Sequence, residues 1–272
     1  MGRKPYSKQQ LTHPDNAIAP QAAPGAVIGR NAVRELLKSG KSIDKIFVLR
    51  GEREGSITQL VAQALDRGIP VVPTERGKLA ALSGNAVHQG IVALAAEKEY
   101  VSIDTLFEIA AERGEQPFFV IADNIADPHN LGALLRSCEA QGVHGLIIPK
   151  RCSCGMTPTV SKTSAGALTH IAVARVGSIA QLIDELKRRG VWIFTAEAGG
   201  TDVFSTDFDC PCALIFGSEG NGVSRLIREK SDFIVSVPMY GHVNSLNVSA
   251  AAAVIISTAR HTRAVAAAKR LQ

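Results

Sequence analysis

The stretch Ser245-Leu246-Asn247-Val248-Ser249 decides the fold of this 272-residue chain when it is taken with two earlier polar segments. It begins seven residues after Pro238, and the glycine-rich segment Gly217-Ser218-Glu219-Gly220-Asn221-Gly222 precedes both. Short apolar runs at residues 213–216 and 233–237 come directly before the glycines and the proline, as is typical of buried parallel strands. Because open α/β sheets bind ligands at the carboxyl ends of their strands, we expect the functional site in these loops.

A third polar segment, Asp127-Pro128-His129-Asn130-Leu131-Gly132, opens a predicted helix. Asn130 is a natural N-cap, since its amide oxygen can accept the free N–H groups of the first turn. Arg136 follows six residues later, a rise of about 9 Å along a helix, so its side chain can reach a ligand at the helix start. A simpler interpretation is an ordinary cap with Arg136 paired to Glu139.

The glycine-rich segment does not fit a dinucleotide-binding fingerprint, which requires G-x-G-x-x-G after the first strand of a βαβ unit. These glycines have another spacing and follow a late strand, and Glu219 would repel a pyrophosphate. The segment suits an adenosine or the orientation of an arginine, with a plain tight turn as the alternative. In the last segment, Ser245 or Asn247 can cap a helix whose alanines at 250–253 permit close packing.

Composition indicates a globular protein, since 46% of the residues are hydrophobic. No apolar run approaches the roughly 20 residues that cross a bilayer, and the polar, basic N-terminus does not match a secretory signal, so we expect a cytoplasmic location. The net charge of +5 is modest. Basic residues cluster in the N-terminal tail and after Asp232, which fits either a nucleic-acid partner or a solvated face.

The five cysteines include two C-x-C pairs, Cys152 with Cys154 and Cys210 with Cys212. Structural zinc sites usually show C-x-x-C spacing with further ligands nearby. Reduced thiols are therefore the favoured interpretation, and we predict no metal site.

Alternating strand and helix patterns predict an α/β protein with two units. Residues 1–24 are expected to form a disordered basic tail, residues 25–97 a small α/β domain, residues 98–116 a linker, and residues 117–272 a second α/β domain. In the second domain, strands alternate with helices, which predicts a mostly parallel sheet with helices on both faces.

The three segments, in this order, resemble the motifs of the SpoU/TrmH branch of the knotted (SPOUT) RNA methyltransferases. The resemblance rests on Asn130-x-Gly132-x-x-x-Arg136, the glycine-rich segment, and Pro238-Met239 with the Ser245–Ser249 stretch. The first unit is similar to the family's L30e-like RNA-binding domain through Ile28-Gly29-Arg30-Asn31-Ala32-Val33 and His88-Gln89-Gly90-Ile91-Val92-Ala93. This combination is most similar to bacterial 23S rRNA guanosine 2'-O-methyltransferases.

The resemblance implies that a C-terminal trefoil knot binds S-adenosylmethionine and that the protein is a homodimer acting on RNA. The implied cofactor-binding residues are Thr195, Gly217, Val237 and Leu246, and the implied catalytic residues are Asn130, Arg136, Glu219 and Asn247. The dimer interface would include part of the small-residue stretch at 249–253. A guanidinium resists deprotonation, so we expect Arg136 to grip a phosphate beside the reacting hydroxyl rather than act as a general base.

Two other functions stay open at this point. The substrate can be transfer RNA instead of ribosomal RNA, or the protein can be a non-catalytic RNA-binding factor in ribosome assembly. A purely structural interpretation, in which the polar segments are only caps and turns, is the third alternative.

Overall fold

The structure is a computed structural model that describes residues 21–51, 55–218, 220 and 222–270. The predicted tail lies outside the described residues as far as residue 20, and the predicted catalytic residue Glu219 also lies outside them. The described chain forms two sheets, one of four strands and one of six.

The first sheet and its helices are built from residues 26–95. Its elements, in chain order, are β1 (Ala26–Ile28), α1 (Arg30–Lys38), β2 (Ile43–Leu49), α2 (Gly55–Asp66), β3 (Val71–Thr74), α3 (Arg76–Leu82) and β4 (Ile91–Ala95). The strand order is β1-β4-β2-β3, in which β2 pairs with β3 in parallel and with β4 antiparallel. Strand β1 was not predicted, because three residues are too few to show a strand periodicity.

The six-stranded sheet belongs to the second unit. After α4 (Ile103–Glu112) its elements are β5 (Phe118–Ala122), α5 (Pro128–Ala140), β6 (Gly145–Pro149), α6 (Pro158–Thr163), α7 (Ala167–His170), β7 (Val173–Val176), α8 (Ile179–Arg188), β8 (Trp192–Asp202), β9 (Cys212–Phe216), α9 (Arg225–Lys230), β10 (Phe233–Ser236) and α10 (Val248–Arg270). The order is β10-β8-β9-β5-β6-β7, and every pairing is parallel. The prediction of an α/β domain with a parallel sheet is confirmed.

Apolar cores cover both faces of this sheet. Phe118 and Val120 point to the face packed by α5 and α10, whereas Phe119 and Ile121 point to the face packed by α4 and α8. A strand buried on both faces needs apolar residues at every position, which is why the strands read as continuous apolar runs. The same burial fixes the carboxyl ends of β8, β9 and β10 side by side.

The start of α5 differs from the prediction. Asp127, not Asn130, is the N-cap, because its side chain accepts a hydrogen bond from His129 N, and Pro128 occupies the first helical turn. Proline is favoured there, since its missing N–H would lack an intrahelical partner anyway. Asn130 therefore lies inside the helix, where its side chain is available for other contacts.

Four further elements of the second unit differ. Strand β7 begins two residues later than the predicted span of 171–174, and the short helices α6 and α7 precede it without having been predicted. Strand β8 continues past the predicted end at Thr195. Within the described part of the chain, no helix is long and apolar enough to cross a bilayer.

Candidate active site

The first and third polar segments meet through two asparagines. Asn247 Nδ2 donates a hydrogen bond of 3.0 Å to Oδ1 of Asn130, across 117 positions of the sequence. Asn130 is buried, so the contact lies between α5 and the start of α10. The structure therefore brings together two of the four predicted catalytic residues.

Asn247 also caps α10, as one of the two predicted alternatives had it. Its Oδ1 accepts from Ser249 N at 2.9 Å, from Ser249 Oγ at 2.6 Å and from Ala250 N at 3.4 Å. An asparagine at this position satisfies N–H groups that the helix cannot pair internally. One side chain thus fixes the start of α10 with its oxygen and α5 with its nitrogen.

A cavity of about 500 Å³ opens at the carboxyl ends of β8, β9 and β10. Its walls are formed by residues 196–199 of β8, by the last residues of β9 and β10 with the loops that follow them, and by the first turns of α10. The apolar part of the lining is made of Phe216, Val235, Val237, Leu246, Val248, Ala251 and Ile255, and the polar part includes Ser218, Ser236, Asn244 and Ser245. This size and this mixture of apolar walls with a few polar groups are typical of a small-molecule site.

Three of the predicted cofactor-binding residues, Gly217, Val237 and Leu246, line this cavity. Thr195 does not. Its side chain is fully buried, with Oγ1 2.6 Å from Ser231 Oγ, and the cavity wall begins at the next residue, Ala196. Thr195 thus lies beneath the wall.

The wall contributed by β8 comes from a bulge that the sequence analysis missed. Ile234 of β10 pairs with Thr195, but the next residue, Val235, pairs with Thr201, so residues 196–200 have no partner in β10. A Cβ at Gly200 would lie 2.6 Å from Ile234 O, so the excursion requires glycine there. The Gly199-Gly200 pair was the available signal, since glycines inside a strand often mark a bulge.

The bulge places Glu197 in the cavity wall, and this residue was also missed. Its Oε1 accepts from Arg228 Nη1 of α9 at 3.0 Å, and its side chain is about one quarter exposed (26%). An acid at this position was not indicated by any motif. It adds a carboxylate to a wall that is otherwise apolar or neutral among the described residues.

The glycine-rich segment closes on itself beside the cavity. A Cβ at Gly217 would lie 2.3 Å from the carbonyl carbon of Gly222, and Gly222 N donates to Ser218 O at 2.9 Å. Only glycine permits this approach at position 217. Asp123, buried at the end of β5, supports the same loop: burial raises the pKa of its carboxyl, while hydrogen bonds from Ser224 N and Asn124 oppose that increase.

Arg136 is exposed on α5, and it is not part of the cavity lining. Among the described residues no ion pair with Glu139 is formed, so the simpler pairing considered from the sequence is not observed. Its guanidinium therefore faces solvent on the helix that carries Asn130. The structure does not bring Arg136 into contact with Asn130 or Asn247.

Two family models match the chain. The SpoU rRNA Methylase family matches residues 117–257, and a model described as RNA 2'-O ribose methyltransferase substrate binding matches residues 26–101. A relative from Bacillus subtilis (strain 168), YacO, described provisionally as a TrmH family tRNA/rRNA methyltransferase, is 43% identical over 231 residues. That alignment covers 85% of this chain and 92% of the relative.

Solved structures share the fold. The SpoU methyltransferase AviRb from Streptomyces viridochromogenes, in complex with AdoMet, is similar with a TM-score of 0.56 and 24% identity, covering 88% of this chain and 90% of that one. The A. aeolicus TrmH/SpoU tRNA modifying enzyme gives 0.51 and 29% identity, covering 56% of this chain and 78% of that one. The predicted SPOUT fold with an N-terminal substrate-binding domain is confirmed.

Proposed function

The chain belongs to the SpoU rRNA methylase family and is an RNA methyltransferase that uses S-adenosylmethionine, and we propose that it methylates the ribose 2'-hydroxyl of a guanosine in 23S ribosomal RNA. The main support for this proposal is the position of the cavity next to the paired asparagines. A cavity at three strand ends lies beside the hydrogen-bonded Asn130 and Asn247, in a chain whose first unit matches a model for RNA 2'-O ribose methyltransferase substrate binding. The proposal includes the domain boundaries, with residues 25–97 as the RNA-binding domain, 98–116 as the linker and 117–272 as the methyltransferase domain.

The cavity fits the methyl donor. Apolar side chains such as Val237, Leu246 and Ile255 suit the faces of an adenine, and the tight turn at Gly217 leaves backbone groups of the loop close to the cavity. Gly217, Val237 and Leu246 would hold the cofactor, with Thr195 supporting the wall from beneath. When bound, the cofactor supplies an electrophilic methyl group on sulfur.

The protein residues would act on the RNA. Asn130 and Asn247 orient each other where α5 meets the start of α10, and from this position they would hold the ribose hydroxyl or the cofactor in one place. Arg136 would donate to a phosphate next to that ribose through its planar guanidinium. Glu219 would orient Arg136 or an RNA amide. Such positioning of two reactants supplies most of the acceleration for a reaction of this kind.

The choice of ribosomal over transfer RNA rests on the N-terminal unit. The A. aeolicus tRNA modifying enzyme covers 56% of this chain, so the similarity to it does not extend over both units. A separate unit of about 70 residues adds an RNA-binding surface away from the cavity. Such a unit suits a large structured RNA, in which recognition and reaction are separated in space.

The test is methyl transfer with defined RNAs. The purified protein is incubated with labelled S-adenosylmethionine and either 23S ribosomal RNA or total transfer RNA, and the product is digested to nucleosides for mass spectrometry. We expect 2'-O-methylguanosine from 23S RNA. Label in transfer RNA only, or on a base, would overturn the proposal, and RNA binding without transfer would favour the assembly factor.

A homodimer through the C-terminal unit is part of the proposal. Large apolar side chains are exposed near the sheet edge formed by β10 and in the loop before α10, namely Trp192, Phe233, Tyr240 and Val243. Exposed apolar side chains such as these are available for protein–protein contact. Analytical ultracentrifugation should give twice the chain mass of 28.8 kDa, and a monomer at micromolar concentration would contradict it.

A further inference from the structure

The two units are joined by a buried cluster of polar side chains, Asp44, Tyr100 and Arg175, which we call the junction cluster. Asp44 lies on β2 of the first unit, Tyr100 in the linker and Arg175 on β7 of the second. Tyr100 donates its hydroxyl hydrogen to Asp44 Oδ1, and Arg175 lies 4.6 Å over the Tyr100 ring. The side chains of Asp44 and Arg175 are 1% and 9% exposed.

Arg175 clamps the backbone of the first unit. Its Nη2 donates to Asp44 O at 2.8 Å and its Nη1 to Ile43 O at 3.1 Å, while Nη1 lies 3.8 Å from Asp44 Oδ1. A planar guanidinium with several fixed donors sets direction as well as distance. Buried charges contribute little net stability, and their best-attested use is to select one arrangement. The cluster therefore suits orientation of the two units.

The junction cluster is linked to the candidate active site by residues 153–163, the connecting segment. A Cβ at Gly155 would lie 2.2 Å from Asp44 Cγ, and Met156 N donates to the Tyr100 hydroxyl at 3.1 Å. Lys45 Nζ donates to Ser153 O at 3.3 Å. One side of the connecting segment is thus packed directly on the first unit and the linker.

The other side of the connecting segment holds the helix that carries Asn130 and Arg136. Cys154 N and Ser153 Oγ both donate to Ile125 O, at 3.0 and 3.2 Å, in the loop before α5. At its far end, Thr163 Oγ1 donates to Pro128 O at 3.1 Å, and a Cβ at Gly132 would lie 1.9 Å from that hydroxyl oxygen. Continuous contacts therefore run from Asp44 to the first turns of α5.

We propose that Asp44, Tyr100 and Arg175 are positioning residues for methyl transfer. They hold the RNA-binding unit at a fixed angle to α5, so that RNA bound to the first unit presents its ribose to Asn130 and Arg136. This inference rests on the proposed function. The cofactor cavity is unaffected, because β7 forms one edge of the sheet and β8, β9 and β10 lie toward the opposite edge.

The test uses the full-length protein with Tyr100→Phe and Arg175→Met. Tyr100→Phe keeps the ring under the guanidinium and removes only the hydroxyl. Arg189→Met is the matched control, because Arg189 also lies over an aromatic ring, Phe107, and pairs with an aspartate, Asp104, but it contacts neither the first unit nor the connecting segment. Turnover with 23S RNA is divided by the measured concentration of cofactor-binding sites, so that a smaller fraction of folded protein does not lower the measured kcat.

We expect kcat to fall about tenfold to a hundredfold in both junction variants, while the dissociation constants for S-adenosylmethionine and RNA stay within about twofold and Arg189→Met behaves as wild type. If Arg175→Met fails to fold, Tyr100→Phe alone decides. Normal kcat in Tyr100→Phe, or a fall matched by lost RNA affinity, overturns the inference. Absence of transfer by the wild-type protein would instead overturn the proposed function.

Discussion

Asn247 has two structural roles that substitution can separate. Asn247→Ser keeps a capping oxygen for α10 but removes the Nδ2 donor to Asn130, whereas Asn247→Ala removes both. A hydrogen bond of this kind contributes about 0.5–1.5 kcal/mol net, and loss of an N-cap costs about 0.5–2 kcal/mol. We therefore expect the free energy of unfolding to fall by about 1 kcal/mol in Asn247→Ser and by about 2 kcal/mol in Asn247→Ala.

Urea denaturation at 25 °C measures both changes, and a cycle with Asn130→Ala isolates the contact between the two asparagines. The cycle should give a coupling energy of about 1 kcal/mol. Methyl transfer should fall in Asn247→Ser, although its helix cap is intact, because Asn130 loses a group that orients it. Wild-type stability and turnover in Asn247→Ser, or a coupling energy near zero, would refute the role assigned to this contact.

Three further outcomes are expected. Gly217→Ala should abolish measurable binding of S-adenosylmethionine in calorimetry, because its Cβ would meet Gly222 at 2.3 Å, whereas Gly220→Ala, which meets nothing within 4 Å, should bind normally. His144 is buried, and burial lowers its pKa from 6.5 to about 4. The free energy of unfolding therefore keeps its full His144 contribution above pH 6.5 and loses about 3 kcal/mol as the pH falls toward 4. In His144→Asn, Oδ1 can still accept from Phe118 N, so urea titrations between pH 7 and 4 should no longer show that loss. An unchanged pH dependence in this variant would show the assignment wrong. The logarithm of the RNA association constant should fall linearly with the logarithm of the salt concentration, because Lys and Arg side chains that neutralise phosphates release bound counterions. No dependence on salt would indicate recognition without phosphate contacts.

Apolar periodicity was sufficient for most elements of the second unit. Strands buried on both faces leave a continuous apolar run, so β5 and β9 were placed to within one residue. Helix α9 was placed in the interval between the apolar runs of β9 and β10. Local signals failed where competing caps were present. Asp127 and Asn130 both suit an N-cap. Pro128 decided in favour of Asp127, because the fixed backbone angle of proline suits the first position of a helix.

The sequence predicted site residues that a motif requires for its backbone conformation. It did not predict side chains whose place in the site depends on how distant elements pack. Gly217 belongs to a recognisable segment, and its close approach to Gly222 explains the requirement. Glu197 belongs to no motif. The Gly199-Gly200 pair signals a bulge, but it does not say which side chain the bulge presents, because that depends on how β8 pairs with β10. No sequence pattern indicated that Asp44, Tyr100 and Arg175 would form a cluster.

The sequence by itself determined the family, the α/β architecture with its parallel sheet, and the loops in which to look for chemistry, because strand periodicity, glycine requirements and motif order are local properties of the chain. Only the tertiary structure decided that Asn247 bonds to Asn130, that Thr195 lies beneath the cavity wall, and that Arg175 clamps the first unit. Each of these contacts joins residues far apart in the sequence, and only the packing of the sheet and its helices sets the distance between them.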